Sequence, residues 1–291
     1  MRDIQGQGPQ TTEKQYALEK VLGQWLGIIN RIKIKAQDPT SKYSASLREI
    51  ALRDVLYVDM NAGSGWNEKA NCIGSPLLFL QEANEYDFGL DINFIEKKAD
   101  RATELYRRLR EECPYEKLLP MCSIRTGDNH EILPTIIDLG LRYGLVYCDP
   151  DGPENLQFEE LAKISRTPNF RFVDILIRIS GTAYKRVKNG LNGLGEKKDQ
   201  KHLIGKYPNL KVALQPIKKT KWFIREIRDP DPAQWTFLFG TNWPDYKAMG
   251  NEGFYDITSS RGTATFNRVA FTVPELNDFG KSKKATTCDS T

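Results

Sequence analysis

Metal-ligating and disulfide-forming residues are scarce in this chain. It holds two histidines, His130 and His202, and five cysteines, Cys72, Cys113, Cys122, Cys148 and Cys288. No two cysteines form a CxxC pair and their number is odd, which argues against both a zinc site and a disulfide framework. Two histidines are too few for most metal clusters, so no metal is expected. Long apolar runs are lacking too: no stretch approaches the roughly 20 residues that span a bilayer. Residues 1–12 have neither the basic start nor the apolar middle of a secretory signal, and they read as a flexible leader. The expectation is a reduced, cytoplasmic protein with no membrane partner.

What the chain does have is apolar material for a sizeable core. Of its 291 residues, 40% are hydrophobic, 10% aromatic and 27% charged. That composition excludes a wholly disordered chain. At roughly 150 residues per domain it allows one large domain or two small ones. The net charge of +4 conceals an asymmetry: between Lys185 and Arg225, twelve Lys/Arg stand against Glu196 and Asp199, so this window carries +10 and the rest −6. Such a window suits a polyanionic partner. Charge alone is equally consistent with a solvated, lysine-rich surface excursion.

Apolar positions Leu18, Val21, Leu22, Trp25, Leu26, Ile28, Ile29 and Ile32 recur at helical spacing and predict one amphipathic helix over Glu13–Ile34. Pro39 lies in the break from Asp38 to Ser44. A rhythm of strand and helix follows. Strands are predicted at Val55–Met60, Phe88–Ile95, Cys122–Thr126, Leu145–Cys148 and Val173–Ile179. Helices are predicted at Ser75–Ala83, Glu96–Glu112, His130–Leu139 and Asn155–Ile164. This alternation indicates an α/β fold with a doubly wound, mostly parallel sheet. Thr220–Ile227 and Trp235–Gly240 read as an antiparallel terminal pair closing the sheet, and Ala264–Val273 as a further strand. One domain is expected over 13–280, with an inserted basic lobe at 185–220 and a disordered tail at 281–291.

Each of the first four strands ends near an acid. Asp59-Met60-Asn61-Ala62-Gly63-Ser64-Gly65 follows the first, where glycines let a ligand approach the backbone and an acid can hold a cationic group. A plain glycine turn accounts for such a match about half the time. The nicotinamide fingerprint needs a third glycine where Glu68 stands, and a helix directly after the turn, whereas Trp66–Ile73 intervenes. A nicotinamide oxidoreductase is therefore a poor fit. Glu96 closes the second strand, either accepting ribose hydroxyls or placing a charge at a helix start. Gly127-Asp128-Asn129 follows the third; Asn129 can cap the helix while Asp128 receives an adenine amine. Leu145-Val146-Tyr147-Cys148-Asp149-Pro150-Asp151-Gly152-Pro153 carries the fourth, and its prolines stop any regular helix. Singly, each acid is more simply a cap or a turn. Four acids in register at strand ends favour a shared ligand.

Together these segments resemble the class I S-adenosylmethionine-dependent methyltransferases. The spacing is closest to the three-Cys-motif partner proteins, which share the leading helix, the Asp-x-x-Ala-Gly-x-Gly turn, the delayed Gly74-Ser75-Pro76 helix start and the Asp-Pro-x-Gly turn at 149–152. Adenine-N6 DNA methyltransferases are more distantly similar. The resemblance covers about residues 12–245 and implies a Rossmann-like methyltransferase fold with S-adenosyl-L-methionine as cofactor. It implies that Asp59, Asn61, Ala62, Gly63 and Gly65 cradle the methionine part, that Glu96 binds ribose, and that Asp128 and Asn129 meet the adenine edge. Asp149, Pro150 and Asp151 would sit where the methyl donor meets its acceptor.

The adenine-N6 pattern has a proline and an aromatic ring where this chain has Asp151 and Gly152. That stacking ring, with a value of roughly 1–3 kcal/mol per base, is missing here; Tyr147, Trp66 or Trp243 could supply one from elsewhere. The reading is a methyltransferase acting on a DNA or RNA base, with Lys185, Arg186, Lys218, Lys219 and Lys221 contacting the nucleic acid. The alternative is a non-catalytic, cofactor-binding partner or regulatory subunit of a nucleic-acid modification or defence system. A protein partner is consistent with either.

Overall fold

The computed structural model describes residues 10–68, 70–150, 158–180, 214–226, 235–243 and 252–270. The expected leader up to residue 9, Asp151, Lys185, Arg186, most of the basic insertion and the tail lie outside these residues.

Four short apolar segments build the centre of the sheet because they are buried on both faces, the pattern that parallel strands covered by helices require. These are β1 (Val55–Asp59), β4 (Leu90–Glu96), β6 (Gly144–Cys148) and β7 (Val173–Ser180). With β5 (Cys122–Thr126), β8 (Lys221–Arg225), β9 (Trp235–Thr241) and β10 (Phe254–Asp256) they form one eight-stranded sheet in the order β10-β8-β9-β7-β6-β1-β4-β5. The pairs among β5, β4, β1, β6 and β7 are parallel. Strand β9 runs antiparallel to both β7 and β8, and β10 antiparallel to β8. Counting parallel strands alone, the spatial order is 3-2-1-4-5-6, the doubly wound Rossmann order. The expected Rossmann-like sheet is therefore present. The reversed strand β9 lies inside it, between β7 and β8, and β10 is the antiparallel strand at the edge.

Alternation along each strand sorts side chains to two faces. Tyr57, Asp59, Phe94, Leu145, Tyr147 and Leu176 face one way. Over them lie α1 (Gln10–Gln37), α3 (Ser75–Ala83) and α4 (Ala99–Glu111), which bury Leu18, Trp25, Phe79 and Leu105. Leu56, Val58, Val146, Cys148 and Ile175 face the other way. They meet α5 (Asn129–Ile137), α6 (Phe158–Ser165) and α7 (Ser260–Ala270) through Leu133, Ile136, Leu161 and Phe266. The helix α1 is fastened by a buried polar contact as well: Trp25 Nε1 donates to Asp174 Oδ2 of β7 at 3.1 Å.

Three local readings change. The break at 38–44 ends at Ser44, whose hydroxyl accepts from Leu47 N–H and caps a further helix, α2 (Ala45–Leu52). The segment read as a strand at 264–273 is helical up to Ala270, because Thr265, Phe266 and Val269 are buried at helical spacing on one side. The stretch that separates the glycine turn from its helix is a β-hairpin, β2 (Trp66–Asn67) against β3 (Cys72–Ile73).

That hairpin folds back on itself, so that Gly74 N–H donates to Gly65 carbonyl at 2.7 Å and α3 begins beside the turn after all. Two glycines are sterically required here. A Cβ on Gly74 would lie 2.9 Å from the Gly65 carbonyl carbon, and one on Gly65, at φ +78°, would lie 2.8 Å from Leu105 Cδ1. Gly63, at φ +64°, has open space around it. Gly63→Ala should therefore cost about 1 kcal/mol, the left-handed strain alone. Gly65→Ala and Gly74→Ala should cost more, roughly 2–3 kcal/mol. Denaturant unfolding of the three variants tests the ranking; a Gly63→Ala loss equal to the others would contradict it.

Candidate functional site

At the junction where β1 meets β6 on one side and β4 on the other, successive connections run to opposite faces. That leaves a crevice beyond the strand carboxyl ends, the place where open α/β sheets bind ligands. Asp59 ends β1, Glu96 ends β4, and Asp149 follows β6 by one residue. The strand registers set Asp59 beside Phe94 and Tyr147, so the three acids share one rim.

Backbone and side-chain hydrogen bonds knit the rim together. Asn61 N–H donates to Asp59 Oδ1 at 3.0 Å, and Asn61 Oδ1 accepts from Asp149 N–H at 3.2 Å. Gly63 N–H donates to Glu96 Oε2 at 2.9 Å, while Lys98 N–H donates to Glu96 Oε1 at 2.8 Å. Ala62 N–H reaches Ile95 carbonyl, and Asn129 Nδ2 donates to Met60 carbonyl, both at 3.0 Å. The turn at 59–65 is thus tied to β4, α5 and β6 together. The fold brings Asp59, Asn61, Ala62, Gly63, Glu96, Asn129 and Asp149 together, with Pro150 buried next to Asp149.

The Asp59 carboxyl is wholly buried, and its Oδ2 has no hydrogen-bond partner. Burial raises its pKa to about 7, against the pull of the Ser75 hydroxyl and Asn61 N–H, and the carboxylates of Asp149 and Glu96 push it further. Beneath it, the Tyr57 and Tyr147 hydroxyls are also buried without partners. The Tyr57 ring lies flat on Phe79 of α3, with centroids 3.5 Å apart.

Asp149 is in the opposite state. Its Oδ2 pairs with Lys14 Nζ at 2.6 Å and its Oδ1 with Arg178 Nη1 at 2.8 Å. Burial alone would raise its pKa, but Arg178 and Lys14 outweigh that and hold the carboxyl far below the usual range. It is a fixed anion and a hydrogen-bond acceptor, not a proton store. Neither cation was singled out in the sequence. Arg178 leaves a trace, as the one charge near the end of an apolar strand. Lys14 leaves none, because its contact spans 135 positions along the chain.

Other expected roles change. Asp128, not Asn129, is the N-cap of α5: its Oδ1 accepts from His130 N–H at 3.0 Å and its Oδ2 pairs with Lys97 at 3.1 Å. Gly65 packs on Leu105 rather than facing open space. Among the rings that could replace the missing aromatic, Tyr147 is fully buried, and Trp243 stacks on Tyr143 at the far end of the sheet. Trp66 starts β2 beside the turn, 5.9 Å beneath the Arg108 guanidinium.

The described lysines lie away from the acids. Strand β8 runs parallel to β7, so Lys218, Lys219 and Lys221 lie at the amino edge of the sheet, opposite the acids. Lys219 is also committed structurally. Its Nζ donates to the Phe170 and Val173 carbonyls and sits 4.4 Å from the Phe170 ring centroid, and burial lowers its pKa to about 8. Among the described residues there is no cluster of His, Cys, Asp or Glu fit for a metal, and no helix is long and apolar enough to cross a membrane.

No family model and no curated protein matches the sequence. Solved structures match in shape. The METTL16 methyltransferase domain is 12% identical over 75% of this chain and 67% of that one, with a TM-score of 0.40. The O-methyltransferase TomG from Streptomyces achromogenes, in complex with SAM, is 12% identical over 75% of this chain and 89% of that one, with a TM-score of 0.43. A human methyltransferase 10 domain containing protein is 13% identical over 77% and 83%, with a TM-score of 0.37. At such scores the strand order, rather than any superposition, defines the fold.

The buried acid has a direct thermodynamic consequence. The folded-state pKa of Asp59, about 7, lies above the ordinary carboxylate value near 3.9, so between those pH values the folded chain holds more protons than the unfolded one. Asp59 therefore costs stability as pH rises from about 4 to 7, by a few kcal/mol in all. Asp59→Asn should remove that slope and make the ligand-free protein more stable at pH 8, as read by unfolding at several pH values. An unchanged slope would show that Asp59 ionises normally.

Proposed function

We propose that the chain is an S-adenosylmethionine-dependent methyltransferase whose acceptor is a base of DNA or RNA. The observation that carries this reading is the partnerless, fully buried Asp59 Oδ2 at the same rim as Glu96 and Asp149. A buried carboxylate is costly until a cation meets it. The chemistry of the rim fits the cofactor at both ends. Asp59 and the open turn at Gly63 suit the cationic methionine part, and the two Glu96 oxygens keep lone pairs for ribose hydroxyls. When bound, the cofactor supplies an activated methyl group.

The chain's own residues then have to place the acceptor. Asp149 accepts a hydrogen bond from the acceptor's amine and aligns it, with Lys14 and Arg178 fixing the direction of its oxygens. It does not take the proton, which passes to water after transfer. Trp66 is the ring placed to contact a base. The nucleic-acid part of the reading is supported by charge: the chain leaves β7 for its lysine-rich stretch at the edge that bears Asp149.

A second reading, a cofactor-binding partner that does not catalyse transfer, is favoured by the same two ion pairs. With each oxygen of Asp149 already held by a cation, an incoming amine has to share or displace them.

Cofactor binding tests the first step. A cation next to Asp59 favours its ionised form, so binding should release protons near pH 7 and tighten between pH 6 and 8, with a calorimetric heat that depends on the buffer. Asp59→Asn should weaken binding and abolish that pH dependence. Absence of binding by both S-adenosylmethionine and its demethylated product would defeat the proposal. A labelled-methyl assay on DNA, tRNA and rRNA separates the two readings: transfer that is lost in Asp149→Ala identifies the enzyme, and cofactor binding without transfer identifies the partner.

A further inference from the structure

A second polar opening lies at the far edge of the sheet, about a strand length, roughly 23 Å, from the acids. It is a cavity of about 410 Å³ lined by Ser165, Thr167, Arg171, Lys218, Lys219, Thr220 and Asn242. Three chain segments distant in sequence are fastened around it. Lys218 N–H donates to Ser165 Oγ at 2.8 Å, Thr220 N–H to Asn242 Oδ1 at 2.9 Å, and Asn242 Nδ2 to Arg171 carbonyl at 3.0 Å. Its walls are therefore set before any ligand arrives.

The hydroxyl hydrogens of the lining are already used. Ser165, Thr167 and Thr220 donate to the carbonyls of Ala162, Ile164 and Thr241. What remains for a ligand is cationic: the exposed Arg171 and Lys218, for which no carboxylate partner is present among the described residues. No carboxylate is among the lining residues; the nearest acid acting on Lys219 is Asp174, which Trp25 holds on the other face. A fork of guanidinium N–H groups on Arg171 and the ammonium of Lys218 match an oxyanion with several acceptor oxygens. Next to it runs a row of rings. The Arg171 guanidinium lies 5.4 Å from the Phe172 ring, Phe172 is 5.2 Å from Tyr143, and Tyr143 stacks on Trp243 at 5.5 Å. Cations beside half-buried rings suit a phosphate that carries a base.

We infer that this cavity binds the phosphate group of a nucleotide, free or within a strand, through Arg171 and Lys218, at a site separate from the acidic crevice. Lys219 holds the floor in place by capping the Phe170 and Val173 carbonyls. This inference does not depend on methyl transfer.

The test is calorimetry on the full chain at low salt with three probes: inorganic phosphate, adenosine 5′-monophosphate and a thymidine tetranucleotide lacking a terminal phosphate. Saturable binding of at least one is expected, weakened about tenfold or more by Arg171→Gln or Lys218→Gln and lost in the double variant, with S-adenosylmethionine binding unchanged. Tighter binding of the monophosphate identifies a free nucleotide as the source, and tighter binding of the tetranucleotide identifies a strand. No binding of any probe, binding that survives the double variant, or loss of S-adenosylmethionine binding with it would overturn the inference. Should a variant not fold, the wild-type chain decides. Its melting temperature should rise with phosphate but not with chloride at equal ionic strength, and equal shifts would reject the site.

Discussion

Asp59 is completely buried, yet one of its oxygens finds no donor, and this imbalance shapes the carboxyl edge of the sheet. A carboxylate in such a place is stable only when protonated or when something positive comes close. The turn that follows it, its glycines and its links to β4, α5 and β6 all hold that carboxyl in one position. The remaining features of the rim can be understood as responses to its charge.

The nearest response is at Asp149. Three acids at one rim repel one another, and the fold relieves that repulsion unequally. Asp149 receives two cations, Glu96 receives two backbone N–H groups, and Asp59 is left with a single backbone donor and a nearby hydroxyl. The same kind of side chain therefore occupies three electrostatic states along one rim. One is a fixed anion, one an acceptor oriented by the backbone, and one an acid poised near neutrality. Such a spread separates the tasks of holding a cation and aligning an acceptor.

Much of the scaffold was legible because parallel strands must be apolar on both faces. Val55–Asp59, Leu145–Cys148 and Val173–Ile179 announce themselves by that constraint, and the first two place an acid, Asp59, and an Asp-Pro turn, Asp149-Pro150, at the carboxyl edge. The segment at 264–270 was misread since its β-branched residues imitate a strand, while packing of Phe266 and Val269 on one side makes a helix. The edge that Lys218, Lys219 and Lys221 decorate was not legible for a different reason. Summed charge has no direction, and only the polarity of β8 against β9 and β7 decides which end of the sheet it decorates. Asp128 takes the cap that Asn129 was expected to supply because both are good caps, and one residue of register decides between them. Lys14 was invisible: an ion pair bridging the first helix and the fourth parallel strand needs the fold before it can be read.

The hairpin between Gly65 and Gly74 separates two demands that most glycine turns must meet together. Its ends are closed by the bond from Gly74 N–H to the Gly65 carbonyl, with the pairs Trp66–Ile73 and Asn67–Cys72 next to it. The tip can therefore lengthen, shorten or change sequence while the turn and the first turn of α3 stay where they are. Variation among related chains would collect there without disturbing the crevice. It is also the natural point at which to graft a reporter or an epitope a few residues from the rim.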